Sequence, residues 1–128
     1  MVEHESTLGI DELLLHAASA GDMKLARAAL DKGAHLDCQD FHGNTPLMRA
    51  ATYGDVEMLK LLIERGANIN AANEHGVTAL MKAAIHDRAE AAQTLLGRGA
   101  DGSLRDSDGF TAKDIAARLG NMGIANVL

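Results

Sequence analysis

Apolar positions along this chain recur at helical spacing in short stretches, each closed by a turn residue. Leu14, Ala17 and Ala18 precede Gly21; Leu47, Ala50 and Ala51 precede Gly54; Leu80, Ala83 and Ala84 precede Asp87. The clearest unit is residues 40–72. Residues 73–105 match it at 12 of 33 positions without a gap, where unrelated sequences of ordinary composition share only about two. The period is therefore 33 residues.

Within each period the pattern predicts two helices. In residues 40–72, Gly43 permits a tight turn, Thr45 offers a hydroxyl to a free helix N–H, and Pro46 takes the first helical position, where a missing N–H costs nothing. The first helix is expected over Pro46 to Tyr53. After Gly54 the second runs over Val56 to Arg65, with Val56, Leu59, Leu62 and Ile63 on one face. In the first unit the spacing predicts a helix over Asp11 to Ala20 with Asp11 as N-cap, then Met23 to Lys32 capped by Asp22. Such helices are shorter than the roughly 12–15 residues that hold alone in water, so each pair depends on its neighbours.

Composition narrows the picture. Apolar residues make up 47% and aromatics only 2%, so the core is built from Ala, Leu, Ile and Met. Small side chains let helix axes approach closely. The formal charge of −6 argues against a binder of nucleic-acid backbones or of acidic membrane surfaces. No apolar run reaches the roughly 18 residues of a membrane span, and MVEHEST lacks the features of a secretory signal. The single Cys38 has no partner for an intramolecular disulfide, which suits a reducing, cytoplasmic setting.

The segments TPLMRAA at 45–51, TALMKAA at 78–84 and FTAKDIAA at 110–117, with RGANINA and RGAD after the second helices, resemble ankyrin repeats. The resemblance covers about residues 8–128. It implies an all-α solenoid of stacked antiparallel helix pairs with short turn fingers and a concave face. On this reading residues 1–7 are a polar tail, 8–39 an N-terminal cap repeat, 40–72 and 73–105 full repeats, and 106–128 a shortened C-terminal cap. The last helix is expected from about Met122 to Leu128.

Departures from the repeat pattern carry expectations of their own. Met48 and Met81 stand where the family often has a His that ties down the turn, so that hydrogen bond should be missing. Asp87 replaces the inter-helix Gly and Arg88 the usual cap; Gly97 lies near a helix end; Gly102 and Ser103 replace the pair Ile69 and Asn70. Residues 73–105 should therefore be the looser repeat and 40–72 the most stable. In the last unit Lys113 and Asp114 fall where Leu47 and Met48 stood, as suits an outer face touching water.

Six histidines and one cysteine invite an enzyme or metal reading. His42 and His75 lie one period apart on neighbouring fingers, yet no His or Cys pair has a strong zinc spacing. His16 and His86 fall near the concave face, His35 in a return loop and His4 in the tail. Cys38 sits where Ala71 sits in the next unit, a place that asks only for a small residue. The glycines are turn punctuation rather than a phosphate loop. A metal-dependent or thiol enzyme using His42, His75 or Cys38 is the alternative that metal analysis and thiol titration would detect; neither a cofactor nor catalysis is expected.

The resemblance implies instead a non-catalytic protein–protein interaction module, an adaptor, scaffold or inhibitor. Family contacts come from finger tips and the exposed side of the first helix. Those positions here are Phe41, His42, Asn44, Arg49, Thr52 and Tyr53; Glu74, His75, Val77, Lys82, Ile85 and His86; and Ser107, Asp108 and Phe110. Aromatics and Arg are the usual anchors of an interface, which puts Phe41, Arg49 and Tyr53 at the centre; for Phe41 and Phe110 the competing reading is packing between fingers. The row His16, Arg49, Lys82, one per unit, would suit a carboxylate-bearing partner segment, against the plainer reading of an ordinary solvated face. A monomer is expected, with self-association as a further alternative.

Overall fold

The computed structural model describes residues 9–128, so the expected tail, Leu8 and His4 lie outside the described residues. Eight helices follow in order among them: α1 Ile10–Ala20, α2 Met23–Asp31, α3 Pro46–Tyr53, α4 Val56–Glu64, α5 Ala79–Ile85, α6 Ala89–Gly97, α7 Ala112–Leu119 and α8 Met122–Ala125. They pack as antiparallel pairs. The first helices α1, α3, α5 and α7 stack directly on one another, and in the second layer α4 lies on α6 and α6 on α8.

Local chemistry explains the starts. The hydroxyls of Thr45, Thr78 and Thr111 accept from the N–H groups of Met48, Met81 and Asp114. The carboxylates of Asp22 and Asp55 accept from Leu25 and Met58 at the starts of α2 and α4. Each of these satisfies a donor that the helix itself leaves unpaired. In the first unit the expectation fails at Asp11. There the N-cap is Gly9, whose N–H donates to Glu12 Oε1 at 2.7 Å. Asp11 is drawn sideways instead, accepting from the His35 N–H at 2.8 Å and lying 3.2 Å from its ring nitrogen.

Paired small residues let the first helices approach closely. Ala17, Ala18, Ala50, Ala51, Ala83, Ala84 and Ala116 are fully buried, with Leu14, Leu47, Met48, Leu80 and Met81 beside them. Met48 and Met81 are core residues. The apolar face of α4 is wider than its spacing suggests. Met58 and Leu61 are buried with Leu59 and Leu62, while Val56 and Ile63 are only half-buried, because α4 packs against both α3 and α6. Three other boundaries are shorter than expected: Lys32 and Arg65 are C-caps, and α8 stops at Ala125.

The turns inside the α3–α4 and α5–α6 pairs differ as the sequence suggests. Gly54 is left-handed at φ 70°, and Asp87 takes φ 57°, the one positive value outside glycine among the described residues. Arg88 makes no side-chain cap; its Nε donates to the Thr52 carbonyl at 3.1 Å, tying this turn to the preceding repeat. Return loops are laced from unit to unit. Asp37 accepts from the Asn68 N–H, and Asn70 accepts from the Asp101 N–H, each at 2.9 Å. On the second layer Arg65 lies 3.6 Å from Asp31 and Arg98 3.7 Å from Glu64. In the last unit Lys113 and Asp114 are exposed.

Candidate protein-binding surface

Each finger is closed by one side chain at its base. Asp40 Oδ1 accepts from the N–H groups of His42 and Asn44, Asn73 Oδ1 from His75 and Val77, and Asp106 Oδ1 from Asp108 and Phe110. Backbone bonds from Asp40 N to Asn44 O, Asn73 N to Val77 O and Asp106 N to Phe110 O complete each loop. Short Asp and Asn side chains hold turns this way because they reach the backbone two residues on. These three bases lie one period apart and were open to detection in the sequence, but they are not among the predicted site residues.

Neighbouring fingers are joined in a ladder. Glu74 N–H donates to His42 O at 3.3 Å and Ser107 N–H to His75 O at 2.9 Å, while Asn73 Nδ2 donates to Asn44 Oδ1 at 2.9 Å. The backbones come so close that a Cβ on Gly43 would lie 2.9 Å from Glu74 N, and one on Gly76 3.0 Å from Ser107 N. Both glycines also have positive φ, so nothing larger fits.

On this frame the predicted residues divide. Phe41 is 100% exposed and Tyr53 57%; His42, Glu74, His75, His86, Ser107 and Asp108 are also exposed. The His75 ring lies 3.6 Å from Glu74. Lys82 and Ile85 are half-buried. Others serve the scaffold. Asn44 accepts from Asn73, Thr52 Oγ1 donates to Met48 O, and Val77 packs against the core. Phe110 is half-buried with the Arg118 guanidinium 4.3 Å from its ring centre. Phe110 therefore packs on the core and under Arg118 of its own unit, while the Phe41 side chain lies wholly in water.

Arg49 needs a larger correction. Its Nε and one terminal nitrogen donate to Asp40 Oδ2 at 3.2 and 2.9 Å, and the other terminal nitrogen donates to Leu15 O and Ser19 Oγ. The side chain is 30% exposed, and its guanidinium is clamped between the first finger and α1. The row His16, Arg49, Lys82 is thus not three free cations. Burial pushes the Asp40 carboxyl up, but hydrogen bonds from Asn44, His42 and Arg49 together hold it below its ordinary value. Burial, then Lys82 and Arg88, push His86 down, favouring its neutral form.

The Cys38 thiol is pushed up to about 11, first by burial and then by Asp11, and its Sγ points at the Asp11 carbonyl 3.7 Å away. At neutral pH it is a thiol, without thiolate reactivity. Among the described residues no three His, Cys, Asp or Glu side chains gather in a way that could hold a metal ion. No described helix is long and apolar enough to cross a membrane.

One groove lies at the N-terminal end of this face, about 380 Å³ in volume, lined by Glu12, Leu15, His16, Gln39, Asp40, Phe41 and Arg49. Glu12, Leu15, Gln39 and Asp40 were not among the predicted site residues; α1 and the first finger, far apart in sequence, bring them together.

Comparison with known families agrees with the architecture. The model for ankyrin repeats in 3 copies matches residues 4–73, and the model for ankyrin repeats in many copies matches residues 62–116. No curated protein matches the chain. Repeated helix pairs, laddered fingers and two overlapping family matches spanning most of the sequence lead to one assignment: the chain belongs to the ankyrin repeat family.

Proposed function

We propose that this chain binds a partner protein through the finger tips and the exposed sides of its first helices, as a non-catalytic adaptor, scaffold or inhibitor. Ankyrin repeats are generally protein–protein interaction modules. The observation that carries the reading for this chain is Phe41, a large aromatic side chain wholly in water at the tip of a finger fixed by Asp40, Gly43 and the inter-finger ladder. An exposed ring on a rigid support loses little freedom on binding and buries much apolar area. Tyr53, His42, His75, Glu74, His86 and Asp108 extend the surface, with Lys82 and Ile85 at its floor and Asn44, Arg49, Thr52, Val77 and Phe110 holding its shape. A lone, half-buried thiol suits a reducing compartment, and we place the protein in the cytoplasm.

The test is capture of partners from native lysate by the full chain, set against a variant carrying Phe41→Ala and Tyr53→Ala. Loss of an interface aromatic weakens binding by about tenfold or more, so the specific partner should be depleted. A partner held equally by both proteins would place the interface on another face.

A further inference from the structure

Among the described residues the finger ladder ends at the first finger, whose Phe41 also lines the groove. Glu74 N–H and Ser107 N–H each donate to the carbonyl of the finger before, at His42 and His75. Phe41 is the equivalent residue of the first finger, one period earlier. Its N–H has no partner among the described residues. The carbonyl that periodicity would offer it belongs to Gly9, which instead begins α1 by accepting from the Leu13 N–H at 3.0 Å. Phe41, its side chain fully exposed, and Glu12 both line the groove. The Asp40 charge is answered by Arg49, so Glu12 is the carboxylate left over; it is exposed, and one oxygen is engaged by Gly9.

We propose that an extended partner segment carrying a basic side chain docks on this edge, continuing the ladder with a carbonyl on Phe41 N–H and seating its cation between the Phe41 ring and Glu12. Backbone pairing along an exposed edge gives register and affinity, while side-chain pockets give specificity. An aromatic face and a carboxylate both favour a cation, and the chain already pairs the Arg118 guanidinium with Phe110 in this way. The formal charge of −6 steers a basic segment inward. At the opposite end of the ladder the Phe110 ring is already covered by Arg118. The inference rests on the binding reading above and specifies the partner's chemistry.

The experiment selects random heptapeptides on the full chain, then titrates the enriched peptides into isotope-labelled protein. Expected are peptides with Arg or Lys among strand-forming residues, binding that weakens with salt, and a downfield shift of the Phe41 amide. Phe41→Ala should weaken them about tenfold and Glu12→Gln should also weaken them, while Lys113→Ala, exposed in the last unit, leaves them unchanged. Phe41 touches nothing that holds the fold, and Gln at 12 can still accept from Gly9. Enrichment of acidic peptides, no enrichment, or equal binding by Phe41→Ala overturns the proposal. So does a dimer of the free chain in light scattering that Phe41→Ala dissolves, which assigns the edge to a second copy. If no basic peptide is selected while the lysate partner still depends on Phe41 and Tyr53, this proposal falls and the general binding function stands.

Discussion

Residues 40–72 and 73–105 each carry one helix pair and match at 12 of 33 positions, yet they secure their fingers differently. In the first, charged Asp40 closes the finger and Arg49 bolts it to the Leu15 carbonyl and Ser19 hydroxyl of α1. In the second, neutral Asn73 closes the finger and borrows Asn44 from the repeat before. Their helix turns differ too, Gly54 with an Asp55 cap against Asp87 with an uncapped Arg88. The shared residues include the buried first-helix face and its Thr cap, whereas the side chains that close and anchor each finger differ between the copies.

The largest effect should come from the Arg49 clamp. Arg49→Met leaves Asp40, only 14% exposed, without its cation and two α1 acceptors without their donor. Partial burial of the pair makes a loss of about 2 kcal/mol reasonable. Lys82→Met, at the equivalent place but with no side-chain hydrogen bond among the described residues, should fall within about 0.5 kcal/mol. Urea unfolding of both variants decides it, and equal losses would remove the distinction between the two fingers.

The turns should follow. Gly54→Ala forces a Cβ into left-handed backbone and sets it 2.9 Å from Arg88 Cδ, disturbing the bond from Arg88 to Thr52; a cost of about 1–2 kcal/mol is expected. Asp87→Gly relieves the same conformation and should stabilise by about 0.5–1 kcal/mol. Thermal unfolding should move the two in opposite directions. A third change tests the loop expected to be looser. Ile69 packs against the core, whereas an added Cβ at Gly102 would meet only Leu80 and Leu96, at 3.9 Å. Gly102→Ile should therefore gain about 1 kcal/mol from renewed apolar burial, with slower amide exchange confined to residues 96–104; uniform slowing would point to a general effect instead.

The helix pairs were legible because their signals are local. Thr45, Pro46, Asp22 and Asp55 act on backbone within four residues, so position in the chain nearly determines their role. The binding face was legible only as a set of positions. Arg49 reads as a free cation until its partners appear, 9, 30 and 34 residues away. Phe41 and Phe110 are chemically identical, but Phe41 lies one residue past its finger base and is free, whereas Phe110 lies four past its own, in register with Val77, and packs on the core beside Arg118. Asp11 failed as a cap because a return loop 24 residues on competes for its carboxylate.

Acid offers the smallest and most local test of the two fingers. Burial raises the Asp40 pKa, but the hydrogen bonds from Asn44, His42 and Arg49 outweigh it and set the folded value below the ordinary 3.8. A carboxyl lowered by folding contributes stability that is fully present above its unfolded pKa and is lost as pH falls through the folded one. Asn73 has no proton to take up in this range. Between about pH 6 and pH 2.5, amide exchange at His42 and Asn44, corrected for its intrinsic pH dependence, should therefore accelerate more than at His75 and Val77. The readout must be these four amides, because Asp11, Asp101 and Asp114 are also lowered and add to any global transition. Asp40→Asn should make the first finger as indifferent to acid as the second. If the His42 and Asn44 amides still loosen in that variant, the acid response belongs to another group and the charged base is not what distinguishes the two fingers.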